Sequence, residues 1–233
     1  MLEETLYNEI WKRKSAEVEN YIGSEGRIFE ALETIGRGKV LLDIGCGNGV
    51  VTLHALKNYE YVIGTDISLK ALTSIPPKTF PVLQSNLNRG FIPLKDKSVD
   101  SVICLDVIEH LYDPLLLIKE IHRILRVNGE LVVTTPNSRF IKHITDLLLR
   151  GTSPKTNLDK EGYDGGHLHY FTFTDMKKIL TDYDFQILQE KGISVRFYNS
   201  LKLRIFYFLS KLWEKDPMRE FFCQGIMIKA KKT

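Results

Sequence analysis

The sequence predicts an α/β domain: a doubly wound, mostly parallel seven-stranded sheet with a small cap formed by a loop and an inserted helix. Three observations carry this reading. Short apolar runs of strand length alternate with stretches of helical periodicity, the signature of a parallel sheet covered on both faces. A glycine cluster closes the first run and opens a helix, and an acidic residue ends the second run. The 233 residues are 43% apolar, enough for one sizeable core.

Residues 3–34 read as helical, with Leu6, Ile10, Val18, Ile22, Phe29 and Leu32 as apolar stripes and an interruption near Gly23–Gly26. Val40-Leu41-Leu42 is the first strand, followed by Val51, Leu53, Ala55 and Leu56 at helix-compatible spacing. Tyr61–Ile63, Phe80–Leu83, Val99–Leu105 and Glu130–Thr134 supply four more strands. Between the last two, Asp113-Pro114 caps and opens a helix whose apolar face is Leu117, Ile118, Ile121 and Leu125, with Asn128-Gly129 as its stop. Thr174-Asp175 opens a further helix, and Phe185–Leu188 and Gly225–Ile228 complete the sheet. Residues 150–172 hold five glycines and prolines with little periodicity and read as a long functional loop. Residues 199–215 read as an inserted amphipathic helix, apolar at Leu201, Ile205, Phe208, Leu209 and Leu212.

Composition narrows the function classes. No apolar run approaches the roughly 20 residues that span a bilayer, and the first residues lack a signal-peptide pattern, so a cytoplasmic protein is expected. Three widely spaced cysteines without a CxxC pair argue against a disulfide framework or a structural zinc site. The net charge is +3, and its surplus lies wholly in residues 201–233, with eight Lys/Arg against three Asp/Glu. The preceding part has no basic footprint for nucleic acid.

Asp43-Ile44-Gly45-Cys46-Gly47-Asn48-Gly49 is a glycine turn at a strand–helix junction, where the backbone can approach a ligand without a Cβ in the way. Asp66, 21 residues after Gly45, is placed to accept hydrogen bonds from ribose hydroxyls. Val50 stands where a dinucleotide site prefers a third glycine, and the Asp43 charge suits a cationic ligand better than a pyrophosphate.

Val40–Gly49 resembles motif I of the class I, seven-stranded Rossmann-like S-adenosylmethionine-dependent methyltransferases. Asp66 matches the ribose acid of that family, and Asn86-Leu87 falls near its adenine site. Phe91–Asp100 is similar to its "lPf.d.sfD" segment, Val107–Leu111 to its "vlEHl", and Arg123–Leu131 to its "R.LkpGG.l". The resemblance runs from about Val40 to Phe185. It implies cofactor contacts by Asp43, Gly45, Cys46, Gly47, Gly49, Asp66, Ile67, Asn86, Leu87 and Leu105. It also divides the chain into an N-terminal helical segment, 1–38, and a methyltransferase domain, 39–233, with 150–172 and 196–218 as substrate-cap insertions.

The methyl group of a sulfonium is already activated, so the protein must chiefly align a nucleophile and, for a hydroxyl, remove its proton. His110 after the fourth strand is the expected base, with Glu109 beside it; His167 in the Gly165–Thr172 segment either joins them or braces the lid. His54, His122 and His143 sit in helical patterns and read as surface or packing residues. Asp106, Glu109 and His110 form D-x-x-E-H, which resembles the E-x-x-E-H magnesium site of ubiquinone-pathway O-methyltransferases and small-RNA 2′-O-methyltransferases, so Mg²⁺ is a second expected cofactor. The resulting expectation is methyl transfer from S-adenosylmethionine to a small-molecule acceptor at oxygen, by a monomer or homodimer. The rival readings are a non-catalytic S-adenosylmethionine-binding protein, or a methyltransferase of RNA ribose or of a lipid-like substrate. The basic, aromatic residues 199–216 suit peripheral contact with an anionic membrane.

Overall fold

A computed structural model describes residues 2–14, 25–152, 167–193 and 219–233. The expected cap helix, the 196–218 insertion, the membrane-contact segment 199–216 and residues 153–166 of the long loop lie outside the described residues.

All seven expected strands are present: β1 (Gly38–Ile44), β2 (Tyr59–Asp66), β3 (Val82–Gln84), β4 (Val99–Leu105), β5 (Leu125–Pro136), β6 (Phe185–Ile193) and β7 (Gly225–Lys232). They form one sheet in the order β3-β2-β1-β4-β5-β7-β6. The first five run parallel, and β7 lies antiparallel to both β5 and β6. The order reverses beside β1, so the loops after β1 and β4 open into one crevice at the carboxyl ends of the strands. The register Ile44↔Thr65 and Ile44↔Cys104 brings the ends of β1, β2 and β4 level.

Successive side chains of each central strand enter different cores. Leu42 and Ile44, Val102 and Cys104, Leu131 and Val133 face one core, which also holds Leu117, Ile118, Ile121 and Ile124 of α5 (Pro114–Ile124) and Phe173, Met176 and Leu180 of α7 (Phe173–Asp182). Leu41, Ile103 and Val132 face the other, with Leu32 and Ile35 of α2 (Glu25–Ile35) and Ala55 of α3 (Val50–Ala55). The remaining helices are α1 (Leu2–Lys14), α4 (Leu69–Leu72), α6 (Ile141–Arg150) and α8 (Arg219–Phe222).

Three local expectations change. The helix opened by Asp113-Pro114 ends at Ile124, not at Asn128; Asn128 instead adopts φ +62° inside the irregular start of β5. Helix α7 is capped by Thr172, two residues before the expected start: its Oγ1 accepts from Asp175 N at 3.2 Å, while Asp175 Oδ2 accepts from Thr172 N at 2.9 Å, a reciprocal capping box. Leu6, expected on an apolar stripe of α1, is 48% exposed.

Candidate active site

The glycine loop is shaped by backbone sterics. Gly45 and Gly47 have φ of +74° and +53°, left-handed values that most side chains avoid. A Cβ at Gly45 would overlap Val107 of the β4 loop, and one at Gly47 would overlap the indole of Trp11. Asp66 fastens this loop to the next one. Its Oδ2 accepts from Gly47 N at 2.9 Å and its Oδ1 from Ser68 N at 2.8 Å, while Ser68 Oγ caps α4 by accepting from Ala71 N.

The other residues expected at the cofactor divide by burial. Asp43 is buried under the loop, and its Oδ2 accepts from Thr52 Oγ1 at 2.6 Å. Burial pushes this carboxyl up to about 7; the Thr52 hydrogen bond opposes the rise and the Asp66 charge adds to it. Cys46 packs with Leu72, Ile75 and Phe80, and burial holds its thiol far above the ordinary range. Leu87 is buried in the main core. The side chains of Cys46 and Leu87 are thus taken up by core packing. Gly49 caps α3 with φ +81°. Ile67 is half-buried, with its carbonyl accepting from Gln84 Nε2, and Leu105 is half-buried at the end of β4. Asn86 Oδ1 accepts from Asn88 N at 3.0 Å.

On the far side of the loop, Glu109 and His110 occupy a 3-10 turn, Ile108–His110, immediately after β4. Glu109 is buried, and its Oε2 accepts from Thr135 Oγ1 at 3.1 Å. Its carbonyl accepts from Leu168 N at 2.9 Å and His169 N at 3.1 Å, which docks residues 167–171 against this turn. The structure thereby brings His167 to His110, with ring centroids 5.0 Å apart and edge to face. One ligand atom each from Glu109, His110 and His167 lies within 4.8 Å of the others. His169 diverges from this group: its Nε2 approaches the Tyr112 carbonyl at 3.4 Å and its ring stacks on Phe171. His122 and His143 pack edge to face on Phe185 and Phe140, and His54 Nδ1 meets the Val50 carbonyl.

Asp106 departs from the D-x-x-E-H expectation. It has φ +53°, and its Oδ1 accepts from Thr134 Oγ1 at 2.9 Å, so among the described residues the metal-competent cluster is Glu109, His110 and His167. One carboxylate with two imidazoles suits a borderline ion such as zinc, whereas Mg²⁺ takes oxygen ligands. The donor set therefore does not fit the expected Mg²⁺ site.

Sequence reasoning missed the role of α1. Its inward face lies across the ends of β1, β2 and β3. Glu3 Oε2 accepts from Asn86 Nδ2 at 2.5 Å, Asn8 Oδ1 accepts from Ser68 Oγ at 2.7 Å and Lys70 N at 3.1 Å, and Trp11 covers Gly47. The available signal was the polar and aromatic set Glu3, Glu4, Tyr7, Asn8 and Trp11 at spacings of three and four.

The matches to known proteins agree with this geometry. Residues 42–133 match the model of the family described as "Methyltransferase domain". A probable S-adenosylmethionine-dependent methyltransferase of Mycobacterium tuberculosis is 33% identical over 125 residues, covering 52% of this chain and 44% of the relative. A ubiquinone biosynthesis O-methyltransferase of Aliivibrio fischeri is 25% identical over 169 residues, 70% of each chain. The crystal structure of a Thermotoga maritima S-adenosylmethionine-dependent methyltransferase, described as a possible histamine N-methyltransferase, superposes with a TM-score of 0.66 at 17% identity, over 97% of this chain and 99% of that one. Sheet order and the glycine loop after β1 place the fold in the Rossmann-like class. Residues 42–133 thus carry the methyltransferase domain of this family, on the fold of the class I S-adenosylmethionine-dependent methyltransferases. It spans less than half the length of the mycobacterial relative. No helix among the described residues is long and apolar enough to cross a membrane.

Proposed function

We propose that the protein transfers the methyl group of S-adenosylmethionine to a hydroxyl oxygen of a small-molecule acceptor. The observation that carries this reading is the cluster of His110, His167 and the buried Glu109 at the crevice that the glycine loop also borders. The name of the Aliivibrio relative, an O-methyltransferase, points to the same acceptor atom.

Asp66 and the glycine loop hold the ribose, Asn86 and the Leu87 backbone lie at the adenine, and Asp43 lies beneath the methionine end. The acceptor oxygen attacks the methyl carbon in line with the departing sulfur. The O–C bond forms as the C–S bond breaks, and the electron pair stays on sulfur as S-adenosylhomocysteine. His110 takes the hydroxyl proton, and the Glu109 carboxylate, 3.9 Å from His110 Nε2, stabilises the imidazolium that forms. His167 orients the acceptor across from His110. Were a divalent ion of borderline character held by Glu109, His110 and His167, it would polarise the acceptor oxygen instead, and His110 would serve as a ligand and not as the base.

The test is calorimetric titration with S-adenosylmethionine, S-adenosylhomocysteine and NAD, followed by turnover on hydroxyl acceptors with and without EDTA. Micromolar binding of the two sulfur nucleosides supports the reading. Glu109→Gln and His110→Ala should then lower turnover by roughly 10²–10⁴-fold while leaving S-adenosylhomocysteine affinity unchanged. Preference for NAD, or no nucleoside binding, overturns it.

A further inference from the structure

We propose that α1 is the outer wall of the cofactor site: the Trp11 indole covers the methionine end of bound cofactor above the glycine loop. This rests on the methyltransferase reading and adds a binding element to it.

The composition of the inward face is the first reason. A helix that merely packs on a domain turns its leucines inward, because apolar burial drives docking. Among the described side chains of α1, Leu6 is 48% exposed, and those that meet the strand ends are the carboxylates of Glu3 and Glu4, the Asn8 amide and the Trp11 indole. Such a face suits a ligand with both polar and flat parts.

Position is the second reason. The contacts of α1 track the expected path of the cofactor from end to end. Glu3 holds Asn86 at the adenine end, Asn8 holds Ser68 beside the ribose acid, and Trp11 lies on Gly47. A ligand seated over Gly47 must displace the indole or lie beneath it, so α1 has to shift outward as the cofactor enters. Once the cofactor is seated, the indole keeps water from the reacting sulfonium.

The chain has two tryptophans, Trp11 and Trp213, so a Trp213→Phe background isolates the Trp11 fluorescence. Titrating S-adenosylhomocysteine into this protein should change the emission with the same midpoint that calorimetry gives. Trp11→Ala should weaken binding roughly tenfold, and Trp11→Phe should recover most of it, as expected for loss and return of an aromatic contact. Leu6→Ala, on the outward face, should leave binding unchanged. Normal S-adenosylhomocysteine binding by Trp11→Ala with silent Trp11 emission overturns the assignment of α1 alone. Absence of binding by the unsubstituted protein overturns the methyltransferase reading, and this inference with it.

Discussion

Replacing Asp43 by asparagine should stabilise the ligand-free protein while weakening cofactor binding. Asp43 is buried on β1 between neighbouring strands, with one hydrogen bond, from Thr52 Oγ1. Burial lifts its carboxyl from 3.8 to about 7. The folded state therefore holds this proton more tightly than the unfolded chain does. Stability is highest below the unfolded value, falls as pH rises from about 4 to about 7, and is flat above that. At roughly 1.4 kcal/mol per pH unit, the full cost of ionising Asp43 in the fold is about 4 kcal/mol. The asparagine side chain keeps the oxygen that accepts from Thr52 and never ionises. The stability of the Asp43→Asn variant relative to wild type should accordingly grow by about 3 kcal/mol between pH 5 and pH 8, which for a chain of this length is roughly 6–10 °C in melting temperature. Thermal melts of both proteins at pH 5, 6, 7 and 8 measure it. The same substitution removes the anion that a sulfonium or ammonium group would stabilise, so S-adenosylhomocysteine affinity at pH 8 should drop about tenfold. A difference between the two melts that stays constant from pH 5 to pH 8 would refute the argument, because Asp43 would then titrate alike in the folded and unfolded chains.

Two further substitutions test the scaffold that positions the site. Arg123 donates to Glu120 at 2.6 and 2.8 Å, to Asp96 at 2.5 Å, and to the carbonyls of Ile92 and Leu94, tying α5 to the segment after β3. Arg123→Ala leaves the buried Glu120 carboxylate uncompensated and should cost about 2–3 kcal/mol in urea unfolding, a figure reduced for the partly exposed guanidinium; no change in midpoint would show that the network contributes nothing net. Lys232 is buried near the C-terminus of β7, and its Nζ donates to the carbonyls of His122 and Leu125 at the end of α5 at 2.6 and 2.9 Å. Lys232→Met should cost about 2 kcal/mol by orphaning those carbonyls, read from the shift in denaturant midpoint.

The legible part of the fold was the part encoded in local patterns. β1, β2, β4 and β5 are apolar runs because both faces of a parallel sheet are buried, and all four were visible as such. The Asp113-Pro114 start of α5 was visible because capping chemistry is local. The stop of that helix was misplaced because Asn128 signals a positive φ without saying whether the turn closes a helix or bends a strand. The start of α7 was misplaced because Thr172 and Thr174 are equally good caps in isolation, and only Thr172 has Asp175 three residues on. In the site, the glycine loop and Asp66 carried their own signature, since their roles follow from backbone geometry and spacing. D-x-x-E-H was half informative: Glu109 and His110 join His167, while Asp106 turns to Thr134. That choice depends on β5 lying beside β4, a contact between residues 28 apart in sequence. Leu6 and Trp11 illustrate the sharpest limit. Hydrophobicity marks which residues prefer burial, and α1 is docked by polar groups on Asn86, Ser68 and Lys70.

By itself the sequence determined the α/β alternation, the position of the glycine loop, the place of Asp66 at the end of the second strand and the +3 charge with its C-terminal surplus, because each is written in residue type and short-range spacing. The tertiary structure decided that β7 inserts antiparallel between β5 and β6, that Asp43 is buried deeply enough to hold its proton near neutrality, that His167 rather than Asp106 meets His110, and that α1 lies over Gly47. These depend on which distant segments share one volume. Such proximity is set by packing of the whole chain, where burial, charge and hydrogen bonding are settled together.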